Sequence, residues 1–281
     1  MAKTKDVSEQ ITKVTPDLTL PDFLEGKDIK GIKEMEQFIR PPYIKVIQKN
    51  ASAELLAHFG TADVILSPSN AIVTEMERGP KGQIVEGQIS SFKFVPILFW
   101  VEWCTWSPFG LKGQEPMIRY RTIDPNDPIV AKSKSKVLRF EPHPKYPDDP
   151  KMNLRHVEHL NFLVCLYNHG LGDEPAVMSF NRGEYFAGTK FASKIKMRKS
   201  SLFNCVFEAV VTFRPGDGSG DWYGLNIENP SEGSPWVTKE EQPVFEELHD
   251  KFDKLREKIQ ATYEPGAGSK DESSVEPSDD F

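Results

Sequence analysis

The chain has 281 residues, 38% hydrophobic and 27% charged, with a net charge of −7, ordinary figures for a globular protein with material for a sizeable core. No run approaches the roughly 20 apolar residues of a membrane span, and residues 1–10 lack the apolar stretch of a signal peptide. Cys104, Cys165 and Cys205 lie far apart without a CxxC pair, which argues against a disulfide framework or a zinc finger and for buried free thiols in an intracellular protein.

In chain order, residues 1–40 are mixed polar sequence with Pro16 and Pro21, closed by Pro41-Pro42, and predict a loosely attached N-terminal arm. Residues 43–48 (YIKVIQ) are strand-like, and residues 52–59 predict a short helix capped by Ser52. Two β-branched runs, 63–66 and 71–76, follow around Pro68-Ser69-Asn70, with a turn at 79–82. Residues 91–106 (SFKFVPILFWVEWCTW) form the most aromatic stretch. Strict alternation places Phe92, Phe94, Leu98, Trp100, Cys104 and Trp106 on one face and Val95, Ile97, Phe99, Val101 and Trp103 on the other. Both faces are apolar, so the segment predicts a long central strand, and Pro96 demands an edge or a bulge because it cannot donate to the ladder.

Residues 116–123 predict another strand, and the proline-rich, basic segment 124–150 a long flexible insertion. Strands are expected at 162–167 and 176–180, the two paired across a loop, then a basic helix at 189–199. Residues 202–213 and 222–227 predict two strands joined by the glycine-rich loop after Pro215. Val244, Phe245, Leu248, Phe252, Leu255 and Ile259 recur at helical spacing, so residues 240–261 predict a helix with one apolar stripe. The fold class is mainly β with added helices (α+β): an elaborated oligonucleotide-binding barrel over 41–236, a C-terminal helix over 237–263 and a disordered acidic tail over 264–281.

Residues 181–199 hold the strongest charged constellation: Arg182, Lys190, Lys194, Lys196, Arg198 and Lys199 against Glu184, with Tyr185, Phe186 and Phe191 interleaved. On a helix, Lys190, Lys194 and Arg198 form one stripe suited to tracking a phosphate backbone, or else a solvated face. Unpaired bases also need aromatic platforms. Candidates are Trp103 and Trp106, Tyr120 between Arg119 and Arg121, and Trp222-Tyr223, with core packing as the alternative for each. His156, Glu158 and His159 do not have zinc-site spacing, and no phosphate-loop, nucleophile-elbow or dinucleotide motif occurs. Nothing in these residues indicates an enzyme, a metal or a cofactor.

The last segment, GAGSKDESSVEPSDDF, carries Asp271, Glu272, Glu276, Asp279 and Asp280 against Lys270 and ends on Phe281. With so little apolar area it cannot offset the entropy of ordering itself. From Glu264 onward six acids face one lysine, which leaves about −2 for everything before it, so the overall charge says little about the body. A folded body followed by an acidic tail ending in an aromatic resembles the single-stranded DNA-binding proteins of bacteria and their phages. The order FVPILFWVEWCTWSP, HVEHLNFLVCL, AVMSF and GDWYGLNI over residues 31–230 is similar to phage-encoded members of that group with a barrel core. The resemblance implies single-stranded DNA as ligand, a tail that recruits a polymerase, helicase or recombinase and competes with DNA, the bacterial host cytoplasm as location, and no membrane partner. A homo-oligomer is compatible with it. A virion or host-takeover interaction protein using the tail as a docking peptide, and a metal-dependent nuclease, remain as alternatives.

Overall fold

The computed structural model describes residues 41–80, 84–85, 90–108, 118–169, 175–216 and 221–262, with side chains to residue 254. The expected N-terminal arm and acidic tail lie outside the described residues, which belong to one compact unit spanning 40–281. The fold is mainly β with several helices. Among the described residues ten strands make one mixed sheet: β1 (Tyr43–Val46), β2 (Val64–Ser67), β3 (Ala71–Thr74), β4 (Ser91–Trp106), β5 (Ile118–Thr122), β6 (Phe140–Glu141), β7 (Leu154–Leu166), β8 (Ala176–Asn181), β9 (Phe207–Arg214) and β10 (Trp222–Glu228). The order is β10-β9-β4-β7-β8-β1-β2-β3, with β5 added to β4 and β6 to β7. The pairings are antiparallel except β1 with β8, which meet in parallel at Tyr43 and Val177.

Among the described residues four α-helices accompany the sheet: α1 (Ala53–His58), α2 (Pro128–Lys134), α3 (Tyr185–Met197) and α4 (Gln242–Thr262). The Ser52 hydroxyl accepts from the Leu55 N–H at 3.4 Å, the cap expected of it. The sheet curls until β10 returns to β1, where the Gln48 side chain closes the gap. Its Nε2 donates to the Tyr223 carbonyl (2.7 Å) and its Oε1 accepts the Tyr223 N–H (2.9 Å).

The long aromatic strand is central, as its two apolar faces required, but the face assignment is corrected by a bulge. The β4–β7 register shifts between Pro96 and Leu98, so one residue is added and the alternation reverses beyond it. Phe92 and Phe94 therefore share a face with Phe99 and Val101, while Leu98 and Trp100 join Val95 and Ile97 on the other. On the first face, Phe191 from α3 lies 4.5 Å from Phe162 and 5.0 Å from Phe207, ring centre to ring centre, at the middle of the main core. A Cβ on Gly188 would come within 2.6 Å of Phe180 Cβ, so only glycine lets α3 sit this low on β8. On the second face, Phe245, Leu248 and Phe252 of α4 cover Val95, Ile97, Leu98, Leu163 and Cys165, the use expected of its apolar stripe.

The expected flexible insertion at 124–150 instead opens with a packed helix, α2, and continues as exposed turns around β6. Asp127 caps α2 by accepting the Ile129 N–H at 2.9 Å, Pro128 takes the first helical position, and Ile129 and Val130 are buried against Trp103. β7 also begins eight residues earlier than the apolar run suggested, at Leu154, where β6 pairs with it. All three cysteines are free and buried.

Candidate nucleic-acid interface

The face of β4 and β7 under α4 changes character halfway along. From Trp100 onward, β4 presents Glu102, Cys104 and Trp106 on it, opposite His159, Val157 and Arg155 of β7. The first polar layer is interlocked: Asn161 Nδ2 donates to Glu102 at 3.1 Å, and the Arg121 guanidinium of β5 pairs with Glu102 at 3.3 Å. Next comes His159, 5% exposed. Its Nε2 accepts the Trp106 indole N–H (3.1 Å), so Nδ1 carries the proton and faces Ser179 Oγ, also at 3.1 Å. Burial, then the charges of Arg182 and Arg121, pull the His159 pKa down to about 3, so the ring is neutral and acts as a fixed acceptor. Trp106 is thereby held in one orientation, its ring nearly parallel to that of His159 at an interplanar angle of 12° with ring centres 5.8 Å apart.

At the outer end, the register places Phe140 of β6, Arg155 of β7 and Trp106 of β4 side by side in one row. Residues directly opposite in adjacent strands share a face. The Arg155 guanidinium lies 5.6 Å from the Phe140 ring centre and that of Arg139 lies 4.9 Å from it. The Arg182 guanidinium sits 5.6 Å from the Trp106 ring, carried there by a left-handed backbone (φ 49°) after β8. Desolvation, then the nearby charge of Arg139, lowers the pKa of Arg155, and desolvation, then Arg155, brings Arg182 down to about 10. Like charges set close together disfavour each other's charged form, so these two shifts mark Arg139, Arg155 and Arg182 as neighbours. Tyr43, 37% exposed, lies near Arg121 on the same side.

Comparison with protein-family models, curated proteins and solved structures yields no match.

Of the residues singled out from sequence, the structure brings Trp106, Arg121 and Arg182 to this face and disperses the rest. Tyr120 points the other way, its hydroxyl donating to Asp127, with Arg119 exposed beside it on β5. Trp103 is a buried residue rather than a platform, its indole N–H donating to Glu158 (3.1 Å), which also accepts the Tyr185 hydroxyl at 2.7 Å. Trp222 donates to Glu184 at 3.1 Å, and Tyr223 packs against the main core.

The expected cationic stripe on α3 is not an open row. Lys194 is bound to the Glu228 carboxylate and the Ile227 carbonyl. Arg198 donates to the carbonyls of Val206 (3.1 Å) and Pro235 (2.6 Å) and to Asn229 Oδ1 (2.7 Å), and lies 3.9 Å from the Phe207 ring. It staples α3 to β9 and to the segment leading to α4. Lys190 rests 4.6 Å from the exposed Phe186 ring, while Lys196 and Lys199 are exposed. His156 and His159, three apart in a strand, face opposite sides, His156 bonding Thr105 and Glu141 at 2.9 Å each. Among the described residues no group of three His, Cys, Asp or Glu side chains could hold a metal ion. No described helix is long and apolar enough to cross a membrane. Asp271, Glu272, Glu276, Asp279, Asp280 and Phe281 lie outside the described residues.

Arg139, Phe140 and Arg155 were not singled out from sequence. The local signals were an Arg-Phe step after a lysine-rich stretch and an arginine two places before Val157, in phase with His159. Only the β6–β7–β4 register unites them.

Proposed function

We propose that this chain is a non-enzymatic single-stranded DNA-binding protein whose ligand lies across the half of the β4–β7 face beyond α4. The observation that carries the reading is the row of Phe140, Arg155 and Trp106, flanked by Arg139 and Arg182. Aromatic rings stack on any base, and guanidiniums pair with phosphates and release counterions, so the combination binds a strand without reading its sequence. The sheet curled onto β1 through Gln48 supports an elaborated oligonucleotide-binding barrel as the scaffold. The acidity of residues 264–281 supports a tail that competes for the arginine row and recruits replication or recombination proteins in the host cytoplasm.

The test is a titration with oligo-dT at several salt concentrations, followed by tryptophan fluorescence. Trp106 stacking predicts quenching that is lost in Trp106→Phe, and an affinity that falls steeply with salt, by about 0.7 log units per log unit of salt for each phosphate contact. No binding at low salt would overturn the proposal. Removing residues 271–281 is expected to tighten binding several-fold at low salt, and unchanged affinity would remove the competition from the account.

A further inference from the structure

Next to the arginine–aromatic row stands a feature that single-strand binding does not use. Val137 and Leu138 are 77% and 58% exposed, two adjacent aliphatic side chains projecting from the turn between α2 and β6. The turn is built to hold them there. The Ser135 hydroxyl accepts the N–H groups of Val137 (3.3 Å) and Leu138 (3.1 Å), the Ser135 carbonyl accepts Arg139 N–H (3.3 Å), and Phe140 N–H donates to the Val137 carbonyl (3.2 Å). Its two footings are tied as well. Glu141 of β6 accepts from Lys132 of α2 and from His156 of β7, and these two bonds hold its carboxyl below the ordinary range. An apolar pair on a fixed turn has lost its conformational entropy in advance and is ready to be buried by a partner.

The surroundings say which partner. Residues 131–140 contain no acid; Lys134, Lys136 and Arg139 are exposed around the pair. Two residues further on is Phe140, the first ring of the row. An apolar tip in a ring of cations, continuous with a surface for unpaired bases, fits the place where a single strand runs into a duplex. There the aliphatic pair wedges against or between the last base pairs, and the cations hold the flanking phosphates.

We infer that the 135–139 turn is a wedge that binds the junction between single- and double-stranded nucleic acid and unstacks the terminal base pair. The inference rests on the proposed single-strand reading, and its test separates the two. Anisotropy titrations compare an oligo-dT arm alone with the same arm attached to a hairpin duplex carrying 2-aminopurine at the junction pair, for the full chain and for the Val137→Ser/Leu138→Ser variant. Both positions are exposed, so the variant is expected to fold, which circular dichroism checks.

The full chain is expected to bind the forked substrate about tenfold more tightly than the arm alone and to brighten the 2-aminopurine. The variant should keep the arm affinity within about twofold while losing the fork preference and the brightening. Equal affinity of the full chain for fork and arm overturns the wedge and leaves the single-strand reading standing. An equal loss of arm and fork binding in the variant also overturns it, and makes the turn part of the strand-binding face. No binding of either DNA overturns the single-strand reading, and the wedge with it. Sedimentation with phosphatidylserine vesicles completes the test: vesicle binding that the variant loses, with fork preference intact, would assign the tip to lipid instead.

Discussion

The two halves of the β4–β7 face share strands, alternation and twist, yet one is an apolar core and the other a polar, cationic surface. Under α4, Leu98 opposes Leu163, and Val95 opposes Cys165. Four residues beyond Leu98, Glu102 opposes His159, and eight beyond it Trp106 opposes Arg155. The difference lies in what covers each half. A helix stripe can bury only apolar partners without leaving groups unsatisfied. Where it ends, the face is free to carry hydrogen-bonded polar groups and charges. Glu102, Asn161 and His159 are 8%, 1% and 5% exposed, so this second half is itself layered, a buried polar floor under a row of guanidiniums and rings.

Substitutions in the two halves should separate stability from binding. The largest effect is expected in the covered half: Leu163→Ala should cost about 2–5 kcal/mol by urea denaturation while leaving oligo-dT affinity unchanged wherever the protein is folded. A loss of affinity without a loss of stability would blur the division. In the half beyond α4, Trp106→Ala should cost about 1–3 kcal/mol of oligo-dT binding. Arg155→Ala and Arg182→Ala should each flatten the salt slope by about 0.7. By contrast, Arg198→Ala should cost about 1–3 kcal/mol of stability through the carbonyls it leaves unpaired, with the salt slope unaltered.

A further effect, spread over pH, is on stability. His159 has a folded pKa depressed to about 3, below its unfolded value near 6.5. The unfolded chain therefore takes up a proton first, and the stability that neutral His159 contributes is fully present above pH ~6.5 and lost as pH falls through that window. Denaturation midpoints should decline between pH ~6.5 and ~5, at up to about 1.4 kcal/mol per unit, and His159→Gln should flatten the decline. An identical decline in the variant would place the sensitivity elsewhere.

Much of the scaffold was readable because its causes are local. The Ser52 cap, the long apolar run of β4 and the stripe of α4 each act within one segment. Pro96 announced its bulge, but the reversal of faces beyond it follows only when the extra residue is carried through the count. The Asp127-Pro128 helix start was also present in sequence; the prolines that follow made the whole segment read as loop. Lys194 and Arg198 fall on one helical stripe as spacing requires. Their partners, Glu228, Asn229 and the Val206 and Pro235 carbonyls, come from the chain beyond α3, and no property of the helix discloses them. The row of Phe140, Arg155 and Trp106 has the same origin, drawn from three strands by register, with Arg182 brought to it by the left-handed turn after β8.

The most direct test of the central claim is to photocrosslink a 5-bromouracil-substituted oligo-dT to the full chain and map the adducts by mass spectrometry. Adducts at Trp106 and Phe140, suppressed in Arg155→Ala/Arg182→Ala, are the expected result. Adducts confined to Phe186 on α3 or to Trp222 and Tyr223 on β10, with the row unlabelled, would contradict it.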